Sequence, residues 1–218
     1  MDTGLVDAVR CGNVQQVRQL LGTGVDLNAR DDEGNTLLMT AAAAGQFGIV
    51  KLLAESGADV NARNKAGMTP LLISAAVRHM EVFAFLVQRG ADLSLTDEEG
   101  NTALMIAART GLGPAVELLL SRRSPVNARN RWGTTALMQA SRVFNITIVK
   151  TLLDAGADPD ARDVLGKRAI MYAQEKGKPP IYLIRLLKGE RETGVKVNAR
   201  PSVARPPVSR PWWRFWDK

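Results

Sequence analysis

Asn64-Lys65-Ala66-Gly67-Met68-Thr69-Pro70-Leu71 is a phrase that the chain spells again, with changes, as Asn130-Arg131-Trp132-Gly133-Thr134-Thr135-Ala136-Leu137. Two further copies have acidic leaders, Asp31-Asp32-Glu33-Gly34-Asn35-Thr36-Leu37-Leu38 and Asp97-Glu98-Glu99-Gly100-Asn101-Thr102-Ala103-Leu104. Gly34, Gly67, Gly100 and Gly133 stand 33 residues apart, and Gly166 keeps the step. A fixed period of this length marks a stack of one repeated unit, not a single globular core. Each unit closes on a second phrase, Gly57-Ala58-Asp59-Val60-Asn61-Ala62-Arg63, echoed at Gly90-Ala91-Asp92 and Gly156-Ala157-Asp158.

Local chemistry assigns a structure to the unit. Asp or Asn ahead of the glycine suits a tight turn, because its short side chain accepts nearby backbone N–H groups while glycine takes positive φ. Thr36, Thr69, Thr102 and Thr135 stand where a helix N-cap hydroxyl is wanted. A short helix follows with small residues on its stripe (Ala41/Ala42, Ser74/Ala75, Ala107/Ala108), which lets neighbouring units approach closely. A second helix carries Ile49-Val50-Leu52-Leu53, Val82-Phe85-Leu86, Val116-Leu118-Leu119 and Ile148-Val149-Leu152-Leu153. It is expected to end at glycine. Pro114, Pro179 and Pro180 are expected in the first turn of such second helices, where a missing N–H costs little.

On these phrases the unit resembles the ankyrin repeat, over residues 1–200 and most strongly over 31–162. The resemblance implies an all-α ankyrin-repeat solenoid of about six helix-turn-helix units with β-hairpin-like loops, followed by an extended C-terminal tail. Residues 1–30 read as an N-terminal capping repeat with polar Gln15, Gln16, Arg18 and Gln19 on its second helix, and 31–63, 64–96, 97–129 and 130–162 as internal repeats. The last, 163–200, closes on Gly194-Val195-Lys196-Val197-Asn198-Ala199-Arg200 and is 38 residues long, which implies an insertion near Lys188 to Thr193. Residues 201–218 form a tail rich in Pro, Arg and Trp. Met39, Leu72, Met105, Met138 and Met171 stand where many ankyrin repeats carry His, and Arg122-Arg123 replaces a C-cap glycine, which implies a distorted helix end. Ankyrin domains serve mainly as interaction scaffolds, so the fold alone does not fix a function.

Composition narrows the choices. No apolar run approaches the roughly 20 residues of a membrane-spanning helix, and the N-terminus lacks the basic region and apolar core of a secretory signal. Cys11 is the single cysteine, so an internal disulfide is excluded and a reducing, cytoplasmic setting is expected. The net charge of +7 is concentrated in the tail, where Arg205, Arg210, Arg214 and Lys218 face only Asp217. That balance favours anionic partners, whether acidic protein faces, lipid headgroups or nucleic acid.

Catalysis has little to stand on. His79 is the only histidine, and the resemblance gives it a structural place before a second helix. Asp97, Glu98 and Glu99 sit on a loop tip where nothing raises a carboxyl pKa for acid catalysis. No cofactor, metal site or enzyme activity is expected.

Binding has more. In the ankyrin arrangement the loop tips and the exposed face of each first helix form the partner surface. Arg109 and Arg142 hold equivalent helical positions in adjacent repeats beside Arg131-Trp132, with Arg129 close by. Exposed Trp flanked by Arg is the composition of an interface hot spot. The alternative is that Trp132 tucks over its hairpin while the arginines solubilise the surface. Arg30, Arg63, Arg129, Arg162 and Arg200 form a second ladder, interrupted by Thr96, for which repeat duplication and solubility give an account.

The tail's prolines favour an extended spacer, and Trp212, Trp213, Arg214, Phe215 and Trp216 then crowd five positions. An aromatic cluster of this kind needs a cover. Three are open: an apolar groove with an acidic rim on a partner protein, a membrane interface, or the chain's own concave groove. The leading expectation is a non-enzymatic protein–protein adaptor or accessory subunit that uses both surfaces. A peripheral membrane protein on the inner face of a membrane is the runner-up, and nucleic acid is disfavoured because acidic tips share the basic face.

Overall fold

Thr36, Thr69, Thr102 and Thr135 each accept, through Oγ1, the N–H of the residue three positions on, at 3.2–3.4 Å. Those four caps start the first helices of four successive units. A computed structural model describes residues 3–190 apart from Lys176. Six helix pairs follow one another: α1 (Thr3–Arg10) and α2 (Val14–Leu21), α3 (Leu37–Ala43) and α4 (Phe47–Glu55), α5 (Pro70–Ala76) and α6 (Met80–Gln88). Then come α7 (Ala103–Thr110) and α8 (Gly113–Ser121), α9 (Ala136–Arg142) and α10 (Ile146–Asp154), α11 (Ala169–Glu175) and α12 (Ile181–Leu187). Among the described residues no strand forms; one isolated antiparallel bridge joins Thr96 to Thr102. The expected all-α repeat solenoid is the fold observed. The aromatic tail and the phrase 194–200 lie outside the described residues.

Neither helix of a pair can bury its stripe alone, so the core runs continuously from unit to unit. Ala41, Ala42, Ala75, Ala107, Ala108 and Ala140 are fully buried, which brings successive first helices together. Ile49, Val50, Leu53, Val82, Leu86, Val116, Leu119, Val149 and Leu152 fill the layer beneath. Each large aliphatic side chain so buried contributes about 1.5–3 kcal/mol. Met39, Leu72, Met105 and Met138 are buried in the seam, while Met171 of the last pair is 40% exposed. At the other end Gln15, Gln16, Arg18 and Gln19 of α2 face solvent.

Polar stitches run between units at the loops. Lys65 N–H donates to Glu33 O, Glu98 N–H to Ala66 O, Arg131 N–H to Glu99 O and Val164 N–H to Trp132 O, at 2.9–3.0 Å. Lower down, Asn28, Asn61 and Asn127 accept the N–H of Asp59, Asp92 and Asp158 at 2.8–3.0 Å.

The arginine ladder belongs to the same set. Arg30 donates to Gly34 O and Arg63 O, Arg63 to Gly67 O and Thr96 O, and Arg129 to Gly133 O and Arg162 O. Each guanidinium thus joins its own turn to the carbonyl one repeat further on. Solubility does not account for the ladder; it is a backbone clamp that joins a part-buried turn carbonyl to an exposed carbonyl one repeat on.

Two further expectations are corrected. Arg123 has φ +62°, in the place of Gly57, Gly90 and Gly156, and Ser124 N–H donates to Leu119 O at 3.0 Å as Ala58 does to Leu53 O. The helix end is therefore regular, with an arginine held in the left-handed region. Pro180 is the N-cap of α12, at φ −54° and ψ 134°, and Pro179 precedes it, so neither lies in the first turn. Consecutive prolines hold the chain extended, and α12 starts later and has seven residues against nine in α4, α6, α8 and α10. Gly189, at φ +71°, still keeps the 33-residue step from Gly156.

Candidate functional site

Three turns and three first helices enclose a cleft of about 450 Å³ on the tip side of the last three units. Its turns are built alike. Asn130 Oδ1 accepts Trp132 N–H at 3.1 Å and Thr134 N–H at 2.9 Å, which folds the tip, and Gly133 at φ +74° closes it. Asn130 Nδ2 donates to Asn101 Oδ1 at 2.8 Å, and Asn101 Nδ2 donates in turn to Asp97 Oδ2 and Glu99 Oε2. A string of amides therefore ties one tip to the next beneath the cleft.

On the far side Tyr172 of α11 donates its hydroxyl to Asp163 Oδ2 at 2.7 Å, and Thr134 Oγ1 lies 3.4 Å from the same hydroxyl. Asp163 Oδ1 accepts the N–H groups of Leu165 and Lys167. Burial pushes the Asp163 carboxyl up, but the Tyr172 hydroxyl and the two backbone donors outweigh it and hold the carboxyl below the ordinary value. Burial, joined by the bond to Asp163 and opposed by Thr134, pushes the Tyr172 phenol up.

On this floor stand the candidates from the sequence. Trp132 is 49% exposed and its side chain forms one wall. Arg109, in the last turn of α7, and Arg142, the last residue of α9, line the same space. The geometry brings these three together. It does not add Arg131, whose N–H is committed to Glu99 O and whose stem lies over Gly100. Nor does it add Arg129, whose guanidinium is spent on the carbonyls of Gly133 and Arg162. Trp212, Trp213, Arg214, Phe215 and Trp216 lie outside the described residues.

Sequence reasoning missed Gln139, Asp163, Leu165 and Tyr172, which complete the cleft. Gln139 and Tyr172 hold one helical position a repeat apart, midway between the tip and the arginine position, and that phase was the available signal. Gln139 Oε1 is enclosed yet has no donor among the described residues.

A second, more apolar concavity lies between Ile170 and Gln174 of α11, Pro179, and Ile181 and Ile184 of α12. Leu38, Leu71, Leu104 and Leu137, the counterparts of Ile170, are buried under the next unit. Ile170 has no such unit over it among the described residues, and Ile181 is 75% exposed.

His79 precedes α6 without a side-chain cap bond, and its ring covers Gly45, where an added Cβ would come within 2.6 Å of it. Among the described residues no three His, Cys, Asp or Glu side chains are grouped to hold a metal, and no helix is long and apolar enough to cross a membrane.

The family model for ankyrin repeats in three copies matches residues 5–97 and 90–163. The chain is an ankyrin repeat protein. The matched span takes in α1 to α10, so the cleft straddles its boundary, with α7 and α9 inside and α11 beyond. Ankyrin repeats are generic protein–protein interaction modules, in general without catalytic activity, and they bind protein partners. Among curated proteins no match is found.

Proposed function

We propose that this ankyrin repeat protein is a non-enzymatic adaptor or accessory subunit that grips one protein partner in the cleft between α7, α9 and α11. It engages a second surface through Trp212, Trp213, Arg214, Phe215 and Trp216. The observation that carries the proposal is the meeting of Arg109, Trp132 and Arg142 over a floor stitched by Asn101 and Asn130. A half-exposed indole on such a floor loses little entropy when a partner covers it, and arginine beside it adds planar donors. Cys11 is exposed and single, in keeping with action in a reducing compartment.

The Trp and Arg content of 211–216 also suits a lipid headgroup layer, and peripheral membrane association is the second reading. Liposome sedimentation that disappears on deleting 211–218 distinguishes it. Affinity purification tests the main proposal with three baits: the full chain, Trp132→Ala/Arg142→Ala, and a version lacking 201–218. One partner should be lost with the double substitution and a different one with the truncation. Identical captures from all three baits would overturn the proposal.

A further inference from the structure

We infer that the cleft is built for an acidic peptide segment, with two carboxylates taken by Arg109 and Arg142 and a neighbouring apolar side chain against Trp132. This rests on the cleft being the partner site and goes on to name what the site selects.

The charged groups of the cleft that have no partner are its two arginines. Among the described residues no carboxylate lies within 4.0 Å of Arg109 or Arg142, and no hydrogen-bond acceptor holds either guanidinium. The contrast lies within one chain: Arg30, Arg63, Arg129 and Arg162 all spend theirs on backbone carbonyls. The acids of the cleft are already answered, Glu99 by Asn101 Nδ2, and Asp163 by Tyr172 and two N–H groups. A ligand carboxylate therefore meets two uncommitted forks, while the two carboxylates of the cleft are held by donors of their own. Forks of this kind bind carboxylates in bidentate fashion.

Spacing sets the pattern. Adjacent packed helices lie about 8–10 Å apart, and an extended chain advances about 3.3 Å per residue. Alternate side chains share a face of an extended chain, so the two carboxylates belong to residues two apart, the long arginine side chains make up the remaining distance, and the apolar side chain sits two residues further along. The chain's own tail fits poorly, because residues 201–218 hold Arg205, Arg210, Arg214 and Lys218 against Asp217. Nucleic acid fits poorly too, since Glu99 and Asp163 line the same space and would face its continuous phosphates.

The test pans a library of short random peptides against the full chain, Arg109→Glu/Arg142→Glu and Trp132→Ala. The full chain should enrich peptides with two Asp or Glu residues two apart and an apolar residue two positions from one of them. Neutralising both acids of such a peptide should weaken it at least about tenfold. The Glu double variant should enrich Lys and Arg in their place. Enriched peptides without acidic pairs, yet lost with Trp132→Ala, overturn the acidic assignment and leave the cleft as the binding site. Peptides indifferent to every substitution, or no enrichment at all, overturn both. A labelled single-stranded oligonucleotide that outbinds the acidic peptides and is lost in the Glu double variant would hand the cleft to nucleic acid.

Discussion

Arg129 reaches through Nη2 to the carbonyl oxygen of Arg162, the residue that holds its own place one repeat later. Arg30 does the same to Arg63, so sequence equivalence and spatial contact coincide. The ladder breaks at Thr96, whose carbonyl accepts from Arg63 but whose side chain passes nothing on.

Restoring the missing rung should stabilise the protein. Thr96→Arg puts a guanidinium within reach of the carbonyls of Gly100 and Arg129, and the Thr96–Thr102 bridge is backbone only, so it survives. A gain of about 0.5–1 kcal/mol is expected, and Arg63→Ala should lose about 1–2 kcal/mol. Urea titration followed by circular dichroism reads both. Unchanged midpoints would mean that the clamps are decorative.

Left-handed positions give a second check. Arg123→Gly relieves an L residue at φ +62° and should raise stability by about 1 kcal/mol. Gly133→Ala should cost more than Gly156→Ala, because an added Cβ at 133 comes within 2.7 Å of Arg129 Nη2 while 156 is open. Equal costs would show that backbone conformation alone matters there.

The pH dependence follows from Asp163. Its carboxyl is held below the ordinary 3.8, so its stabilisation is present above that value and is lost as pH falls through the lower, folded-state pKa. Asp163→Asn, which restores the residue found at positions 64 and 130, should therefore flatten the fall in Tm on acidification below about pH 4. Parallel Tm–pH curves for the two proteins would remove Asp163 from the account.

What was legible in the chain was whatever a unit encodes within itself. The Thr caps, the Asn and Asp turns and the aliphatic stripes each depend on residues a few positions apart, and all stand where the phrases put them. Contacts between units were harder to read. The partner of Arg129 is a backbone carbonyl, which carries no residue identity, and so the ladder read as mere duplication. Arg123 in a glycine place looked like a defect, because sequence does not show that neighbouring hydrogen bonds hold it there. In the cleft, Arg109, Trp132 and Arg142 were legible by repeat phase. Arg131, next to Trp132 in sequence, is not part of the cleft lining and has its stem by Gly100, and Gln139 and Tyr172 carried no compositional flag.

Removing 201–218 should leave the melting temperature unchanged to within a degree or two, since repeat stability is a sum over units and their interfaces. A fall of many degrees would make the tail part of the packed structure.

The central claim is that Trp132 belongs to a binding surface and not to the core. The direct measurement is the Kd of the captured partner for the full chain and for Trp132→Ala, with Tm taken on the same samples. The account expects binding weakened by about 2 kcal/mol or more, roughly thirtyfold, with Tm nearly unmoved. An unchanged Kd beside a Tm lowered by several degrees would contradict it and return Trp132 to the packing of its hairpin.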